Sequence, residues 1–280
     1  MEIKSIVKDI CEIGSKKRVE FIIDFLRQNN ITHNIYKYLD GINIEVIRKG
    51  KNKNKEIVFF AHHDIYNNSI EGANDNSSSV AVLLTVVKFL YFYEPYYTIN
   101  IVFNDYEELI GGIFSYKNSK YKIDKIIKKI GSFQYLYKKI SLRKTYIIFI
   151  LELSGIGNCL YFANKSGNIK CDSKLNKFLE DIAKILDFKY LNIPISLSDI
   201  VTTNYFGIRG TVFGSIPYIE GKNYLNELNK KDFSKDIYPP VWKRNHTSMD
   251  KYYSIQEKSL TMIHKFVVEI IKNINLIEKI

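Results

Sequence analysis

Residues 57–64, Ile-Val-Phe-Phe-Ala-His-His-Asp, and residues 72–76, Gly-Ala-Asn-Asp-Asn, determine how the rest of the chain is interpreted. The first stretch is an apolar run that ends abruptly in a His-x-Asp triplet, and the second places an aspartate shortly after a glycine. A long apolar segment follows from Val80 to Leu90. This order predicts a buried strand with polar groups at its carboxyl end, then a loop and a buried helix. Open α/β sheets have their catalytic and binding sites at the carboxyl ends of such strands. We therefore expect a metal site at this strand end.

Strand and helix patterns alternate along most of the chain. The predicted strands are residues 32–38, 42–48, 56–61, 99–103, 146–153, 159–163 and 211–216. The predicted helices include residues 77–91, a helix capped by Asp172 and a final helix at residues 255–273. Residues 195–240 are mixed, and Gly221 is expected in a loop there. Because the central strands are continuous apolar runs, we expect one α/β domain with a mostly parallel core sheet.

The chain carries a formal net charge of +11 at pH 7, and most of the excess lies in one segment. Ten basic residues and a single acidic residue, Asp124, lie between Tyr116 and Tyr146. This pattern indicates a basic helical insertion at about residues 116–145. Residues 117–144 are interpreted either as a solvated helical surface or as a patch for nucleic acid, a membrane or another anionic partner. Since α-to-β connections run opposite the carboxyl ends of the strands, we expect this insertion on a surface remote from the site.

The composition does not indicate a secreted disulfide-rich protein or a membrane-spanning one. Cys11, Cys159 and Cys171 show no C-x-x-C spacing, and their odd number leaves one unpaired in any disulfide scheme. Reduced thiols in a cytoplasmic protein are the simplest account. Residues 1–14 lack the apolar core of a signal peptide. No stretch reaches the roughly 18 uncharged apolar residues that a membrane span requires.

Three of the apolar strands end in, or lead directly into, acidic or imidazole side chains. They are His62 with Asp64, Glu107 with Glu108, and Glu152. An unpaired buried carboxylate is strongly disfavoured, whereas a divalent cation supplies the opposite charge and uses the oxygen lone pairs. Histidine together with carboxylates, and without thiolates, is typical of a catalytic Zn²⁺, Mn²⁺ or Co²⁺ site.

Six short motifs occur in an order that resembles one known family. They are residues 61–64 (Ala-His-His-Asp), 72–76, 105–108 (Asp-Tyr-Glu-Glu), 151–157 (Leu-Glu-Leu-Ser-Gly-Ile-Gly), 198–199 (Ser-Asp) and 245–250 (Asn-His-Thr-Ser-Met-Asp). The chain resembles the di-zinc aminopeptidases of the bacterial leucyl aminopeptidase type, a family that also includes the glutaminyl cyclases. Each motif alone is weak, but their common order is specific. The resemblance implies a single zinc-exopeptidase-like domain over residues 1–280, in which helices flank both faces of a mixed, mostly parallel central sheet.

The resemblance assigns five metal ligands. Asp75 would bridge two divalent metal ions, which are expected to be zinc. Glu108 and His246 would complete the protein ligands of one ion, and His62 and Glu152 those of the other. The family usually has aspartate in place of Glu152, so only one ion would bind if this residue is not a ligand.

The resemblance also implies two catalytic residues. Glu107 would be the general base that takes a proton from a metal-activated water and returns it to the leaving amine. Asp64 would accept the second N–H of His62 and fix the tautomer of that imidazole. The peptide bond between Asp75 and Asn76 would be cis. The implied activity is that of a metal-dependent aminopeptidase, which removes N-terminal residues from peptide substrates.

Two other functions stay open at this point. The stretch Pro239-Pro240-Val241-Trp242 is similar to glutaminyl cyclases, in which one zinc suffices for acyl transfer, although the lack of a secretion signal argues against that function. A catalytically silent binding module would keep the fold and use the basic segment for a partner, but it would not need Glu107. Tyr106 stands where many relatives have glycine, which predicts a narrower pocket.

Overall fold

A sheet of nine strands forms the centre of the structure, a computed structural model that describes residues 3–14, 17–39, 41–66, 69–109, 125–139, 144–230 and 237–279. The strands are β1 (Asn34–Tyr38), β2 (Gly41–Arg48), β3 (Asn52–His62), β4 (Tyr97–Asn104), β5 (Thr145–Leu151), β6 (Cys159–Ser166), β7 (Ile169–Lys170), β8 (Tyr190–Ile195) and β9 (Arg209–Ile216). Their order across the sheet is β1-β2-β4-β3-β5-β9-β6-β7, and β8 also pairs with β6.

The middle of this sheet is parallel and its outer parts are mixed. β3 pairs in parallel with β4 and β5, and β5 pairs in parallel with β9. Farther out, β8 is parallel to β6, whereas β2 is antiparallel to both β1 and β4. β6 is antiparallel to β7 and β9. The predicted mixed sheet with parallel central strands is therefore confirmed.

Helices cover the sheet between these strands. They are α1 (Ile3–Glu12), α2 (Arg18–Gln28), α3 (Ser78–Phe92), α4 (Gly131–Lys138), α5 (Ser173–Ile185), α6 (Ile200–Tyr205), α7 (Tyr218–Leu228) and α8 (Glu257–Lys272). As expected, the Asp172 side chain caps α5 by accepting hydrogen bonds from the N–H groups of Lys174 and Leu175. Within the described ranges, none of the helices has the combined length and apolar character needed to cross a membrane.

Alternate residues of β3 belong to cores on opposite faces of the sheet. Ile57 and Phe59 lie in the larger core, with apolar side chains of α1, α2, α3, α5 and α8. Val58 and Phe60 lie in the smaller core, together with Tyr135 of α4 and side chains of α6. Because successive side chains of a strand point to opposite faces, a strand covered on both sides has no polar face. This explains the continuous apolar run at residues 57–61 and confirms that helices lie on both faces.

Helix α3 is buried on nearly all sides, as the apolar segment after residue 79 predicts. Its side chains from Val80 to Leu84 are at most 1% exposed, and Leu90 is 2% exposed. The helix packs against α1 and α8 as well as against β3. It therefore fixes the turn before its first residue, in which Asp75 lies, against the centre of the sheet.

The basic segment belongs to the connection between β4 and β5. Residues 110–124 and 140–143 of this segment lie outside the described residues. On the described side, the N–H of Gly131 donates a hydrogen bond to the carbonyl of Asp105, at 2.7 Å. The expectation of a remote surface is therefore wrong for this end of the segment. The reason is topological: Gly131 begins the helix that follows β4, and a helix that follows a parallel strand starts near the carboxyl end of that strand.

The described basic side chains of this segment differ in their surroundings. Lys139 forms a salt bridge of 2.5 Å with Glu45, whose side chain is fully buried in β2. Lys138 donates to the backbone carbonyl of Lys37, whereas Lys128 and Lys129 are exposed. Part of the basic charge thus anchors α4 to the first hairpin, and part of it faces solvent.

Candidate metal centre

Three neighbouring strands bring the predicted ligands to one edge of the sheet. His62 is the last residue of β3, Glu107 and Glu108 follow the end of β4, and Glu152 follows the end of β5. Since β3 runs parallel to both neighbours, the three carboxyl ends meet there; His62 itself pairs with Asn104, the last residue of β4. Strand topology alone therefore places these acidic and imidazole groups together.

Asp75 enters the same place from a tight turn before α3. Residues Ala73–Ser77 form a kinked turn in which Asp75 and Asn76 have non-helical backbone angles, and the bond between Asp75 and Asn76 is cis, as the family resemblance implies. The carboxylate of Asp250 accepts hydrogen bonds from the N–H groups of Asn74, at 2.8 Å, and Asp75, at 3.0 Å. The turn is thus held from the loop that also carries His246.

His246 lies on that loop with a backbone φ of +60°. Its side chain is 42% exposed, in contrast to 1% for His62. The ring of Tyr66 stacks on the His246 imidazole, with a centroid distance of 4.4 Å and an interplanar angle of 15°. This exposed ring is therefore oriented by an aromatic neighbour.

The side chains form two triads that share Asp75. In one triad, His62 Nε2 lies 3.3 Å from Asp75 Oδ1 and 3.5 Å from Glu152 Oε2. In the other, His246 Nε2 lies 3.3 Å from Asp75 Oδ2 and 3.1 Å from Glu108 Oε2. The ligand atoms within each triad lie within 4.8 Å of one another. All five residues that the resemblance assigns as ligands are therefore brought together, with one oxygen of Asp75 directed to each triad.

The two residues assigned to catalysis adjoin these triads. Glu107 Oε2 lies 3.9 Å from His62 Nε2, and Glu107 also forms a third close group with His62 and Glu108. Asp64 Oδ1 lies 3.2 Å from His62 Nδ1, and Asp64 Oδ2 accepts a hydrogen bond of 3.0 Å from the N–H of Glu108. Asp64 thus holds one residue of each triad, and it leaves the Nε2 atom of His62 directed at the acidic groups.

Burial raises the pKa of the three glutamate side chains. The pKa of Glu108 and that of Glu152 rise to about 7, mainly through burial and further through the negative charge of Asp75. Burial likewise raises the pKa of Glu107 well above its ordinary value, with further contributions from the other two glutamates. Asp75 differs, because the two imidazoles outweigh its burial and lower its pKa.

The histidines respond to the same acidic surroundings. Burial would lower the pKa of His62, but Glu107 and the other carboxylates beside the ring outweigh it, so this pKa lies well above its ordinary value. Burial would also lower the pKa of His246, yet Asp75 and Glu108 raise it to about 10. In the absence of a cation, protons on acids and imidazoles therefore neutralise the excess of negative charge.

The donor atoms fit divalent cations. Among the described residues, His62 Nε2, Glu108 Oε1 and Glu152 Oε1 are buried without any hydrogen-bond partner. Buried polar atoms normally have such a partner, so three of them on residues of the two triads indicate a bound group. Imidazole nitrogens and carboxylate oxygens without thiolates are the donor set of catalytic zinc sites.

A cavity of about 380 Å³ adjoins the two triads. Asp75, Glu107, Glu108, Glu152 and His246 contribute to its lining. The remaining lining is partly apolar and includes Tyr161, Ile195, Leu197, Tyr238 and Trp242. The site thus combines a compact acidic cluster with space for an organic molecule beside it.

Comparison with known proteins identifies the family. The model of peptidase family M28 matches residues 43–271, which include every motif that carries the resemblance. The chain belongs to peptidase family M28. This M28 family is zinc-dependent, which agrees with the donor set of the two triads.

Solved structures similar to this M28 protein include both cyclases and aminopeptidases. An Acidobacteriales bacterium glutaminyl cyclase has a TM-score of 0.73 at 19% identity, covering 98% of this chain and 94% of that one. A leucine aminopeptidase precursor from Bacteroides thetaiotaomicron has a TM-score of 0.70 at 20% identity, covering 97% and 96%. At these identities the likeness shows the fold alone. No curated protein sequence matches the chain.

Two residues that support the site have no role assigned from the sequence. Asp250 is the last residue of the motif at 245–250, so its position in that motif was the available indication. Tyr66 belongs to no motif, and its stacking on His246 arises only when distant loops meet in the fold.

Proposed function

We propose that this M28 protein is a metal-dependent aminopeptidase that hydrolyses N-terminal residues from peptides. The observation that carries this proposal is the pair of triads that share Asp75, since a shared carboxylate is suited to hold two cations side by side. Glu108 and His246 would bind one ion with Asp75, and His62 and Glu152 would bind the other. Zinc is the expected metal.

The residues around these ions have distinct roles in the proposed reaction. When bound, two divalent ions supply Lewis-acid polarisation of the scissile carbonyl and acidify a water molecule. Glu107 takes the proton from the attacking water and returns it to the leaving amine. Asp64 keeps the proton of His62 on Nδ1, so that Nε2 presents its lone pair to the centre.

The pKa of Glu107 suits this use. Its burial favours the protonated form, as the raised pKa shows. Nearby cations act in the opposite direction, because they stabilise the carboxylate. A general base works best when these opposing effects hold its pKa near the working pH, so that it can both accept and return a proton.

The cavity supports a substrate that presents its N-terminus to the acidic cluster. The α-amino group of a peptide is mostly protonated at neutral pH, and carboxylates attract its positive charge. The apolar lining beside the cluster can receive the first side chain of the peptide. Only the end of a peptide brings both groups to the same place, which favours an exopeptidase.

Hydrolysis of short peptides with free N-termini tests the proposal. Free amino acid should be released from the zinc-loaded protein, and a chelator should abolish this release. Glu107→Gln should lower kcat by about 10²–10⁴-fold because an amide cannot accept the proton, while the variant still binds metal. The surface variant Glu227→Gln is the matched control, since the partly exposed Glu227 carboxylate pairs with the exposed Lys230. Absence of bound metal after Zn²⁺ or Co²⁺ addition would exclude the proposed enzyme.

Glutaminyl-peptide cyclotransferase activity with a single zinc is the alternative. Trp242, from the stretch that is similar to the cyclases, lines the cavity beside the triads. Cyclisation of an N-terminal glutamine without peptide cleavage would favour this activity over peptidase activity. A catalytically silent module of the same fold predicts neither product, although metal would still bind.

We further propose that residues 1–280 form one catalytic domain, with the basic segment as its insertion. We also propose a cytoplasmic location, in line with the three cysteines, which are buried and unpaired. If residues 117–144 bind an anionic partner, immobilised nucleic acid or anionic lipid should retain the protein, and added salt should weaken this retention. Neutralising the basic residues of the segment should then abolish it.

A further inference from the structure

Arg18 is the largest fully buried side chain among the described residues. It contacts residues next to the predicted metal ligands His62 and Asp75. It is the first residue of α2 and is only 1% exposed. Its guanidinium donates a hydrogen bond of 3.0 Å to the carbonyl of His63 and one of 2.6 Å to Ser77 Oγ, and a third to the carbonyl of Glu71. An arginine in this position joins parts of the chain that are more than forty residues apart.

The acceptors of Arg18 are all uncharged oxygens within the described part of the chain. A buried cation without a carboxylate in contact carries a large desolvation cost. The carboxylates of Asp64, Asp75 and Asp250 raise its pKa through their charge, but none of them accepts one of these three hydrogen bonds. Stability alone does not explain such an arrangement, because an apolar residue would avoid the cost of burying the charge.

The three acceptors flank two of the predicted metal ligands. His63 follows His62, so the Arg18 bond fixes the carboxyl end of β3 just after this ligand. Glu71 and Ser77 lie on either side of Asp75, and Ser77 Oγ in turn donates to the carbonyl of Gly72, at 2.6 Å. One planar guanidinium therefore holds the strand end and the Asp75 turn at a fixed separation.

We propose that Arg18 is a positioning residue that sets the geometry between His62 and the bridging Asp75, and thereby the affinity of the site for its metal ions. The inference rests on the metal centre of the proposed function, but it does not require aminopeptidase activity. The fork of the guanidinium is essential to it, since three separate oxygens are held at once. Lysine has the charge but only a single nitrogen, so it cannot replace this geometry.

The charge of Arg18 and its geometry predict opposite effects on metal binding. If only the charge mattered, its removal would strengthen cation binding, because a buried positive charge repels a nearby cation. If geometry matters, its removal weakens binding, because His62 and Asp75 lose their fixed separation. Metal affinity therefore distinguishes positioning from simple electrostatics.

Titration of the purified, chelator-treated protein with Co²⁺, followed by visible absorption, tests the proposal. Arg18→Met and Arg18→Lys should both bind Co²⁺ about tenfold or more weakly than the wild type, as is typical when a residue that supports metal ligands is lost. Arg209→Met is the matched control. Arg209 donates hydrogen bonds to Asp172 at the amino end of β9, whereas the metal centre lies at the carboxyl ends of the parallel strands. The control should lose stability without losing Co²⁺ affinity.

The outcomes separate this inference from the proposed function. Wild-type protein that binds no Co²⁺ would overturn both. Wild-type binding with unchanged or tighter binding by Arg18→Met and Arg18→Lys would overturn the role of Arg18 alone. If circular dichroism shows that Arg18→Met is unfolded, Arg18→Lys and Ser77→Ala decide the question, because each removes part of the same contact. Wild-type affinity in both of these variants would contradict the proposal.

Discussion

Glu152 is the residue on which the number of bound metal ions depends. Its main chain is fixed on both sides, since its N–H donates to the carbonyl of Phe213 and its carbonyl accepts from the hydroxyl of Tyr161, each at 3.0 Å. A Cβ at Gly214 would lie 1.7 Å from the Glu152 carbonyl, so only glycine allows this close approach. The longer glutamate arm then places Oε2 3.5 Å from His62 Nε2. Glutamate in place of the usual aspartate is therefore compatible with the second triad.

Glu152→Ala should reduce the metal content from two ions to one. The variant removes a ligand of the triad with His62 but leaves Glu108 and His246 intact, so the affinity of one site should fall by at least about tenfold. Metal stoichiometry and calorimetric titration with Zn²⁺ measure the effect, and Glu227→Gln serves as the surface control. Two ions bound with wild-type affinity in Glu152→Ala would show that Glu152 is not a ligand.

At the scale of elements, the loop after β3 orients the loop of His246 through Tyr66. The Nδ1 atom of His246 makes no hydrogen bond to the described residues, unlike that of His62, which has Asp64 as its partner. Histidine ligands are normally oriented by such a bond. The stacked Tyr66 ring is the contact that takes its place on this partly exposed imidazole.

Tyr66→Leu should weaken metal binding at the triad of His246 by about 2- to 10-fold, which corresponds to the loss of one aromatic pair. Tyr66→Phe should stay near the wild type, because it keeps the ring and removes only the hydroxyl. Competition titrations with a chromophoric chelator measure both affinities. Equal affinities for the leucine and phenylalanine variants would show that stacking does not orient His246.

The elements that periodicity predicts well are those buried on regular faces. The strand at 56–61 and the helix at 77–91 correspond to β3 and α3. Both are long apolar runs, and such runs are typical of strands and helices that are buried on all sides. Gly221 was expected in a loop, which is wrong: it lies inside α7, where a Cβ would come within 2.6 Å of Leu191. Only Gly221 and Tyr224 of α7 are buried, so this helix has little apolar periodicity to detect.

The candidate site shows a similar division. His62, Glu107 and Glu108 follow from local sequence, since apolar strands end beside them. The pairing of His246 with Asp75, by contrast, joins residues that are far apart in the sequence, and only the family resemblance predicts it. Arg18 has no motif at all, because its role depends on three oxygens that the fold brings together. Local patterns therefore locate the edge of the sheet, and tertiary contacts complete the site.

At the scale of the whole molecule, the acidic centre makes folding and metal binding depend on pH. The folded pKa of Glu108 and that of Glu152 are about 7, against an ordinary value of 4.5, and burial raises those of Asp199 and Asp250 to about 6. The pKa of His246 rises to about 10 from 6.5. These five shifts have the same sign and, between about pH 5 and pH 8, outnumber the opposite one, the pKa of His264 that burial lowers, so the folded protein without metal binds more protons than the unfolded chain in this range.

The free energy of unfolding of the metal-free protein should therefore fall as the pH rises through that range. Bound Zn²⁺ takes over the charge compensation from the protons, so the metal-loaded protein should be more stable at pH 8 and should depend less on pH. Melting temperatures of chelator-treated and zinc-loaded protein, measured at several values between about pH 5 and pH 8, test this. Glu108→Gln should flatten the curve of the chelator-treated protein, whereas Glu227→Gln should leave it unchanged. Parallel curves with and without zinc would contradict the exchange of protons for metal ions at this centre.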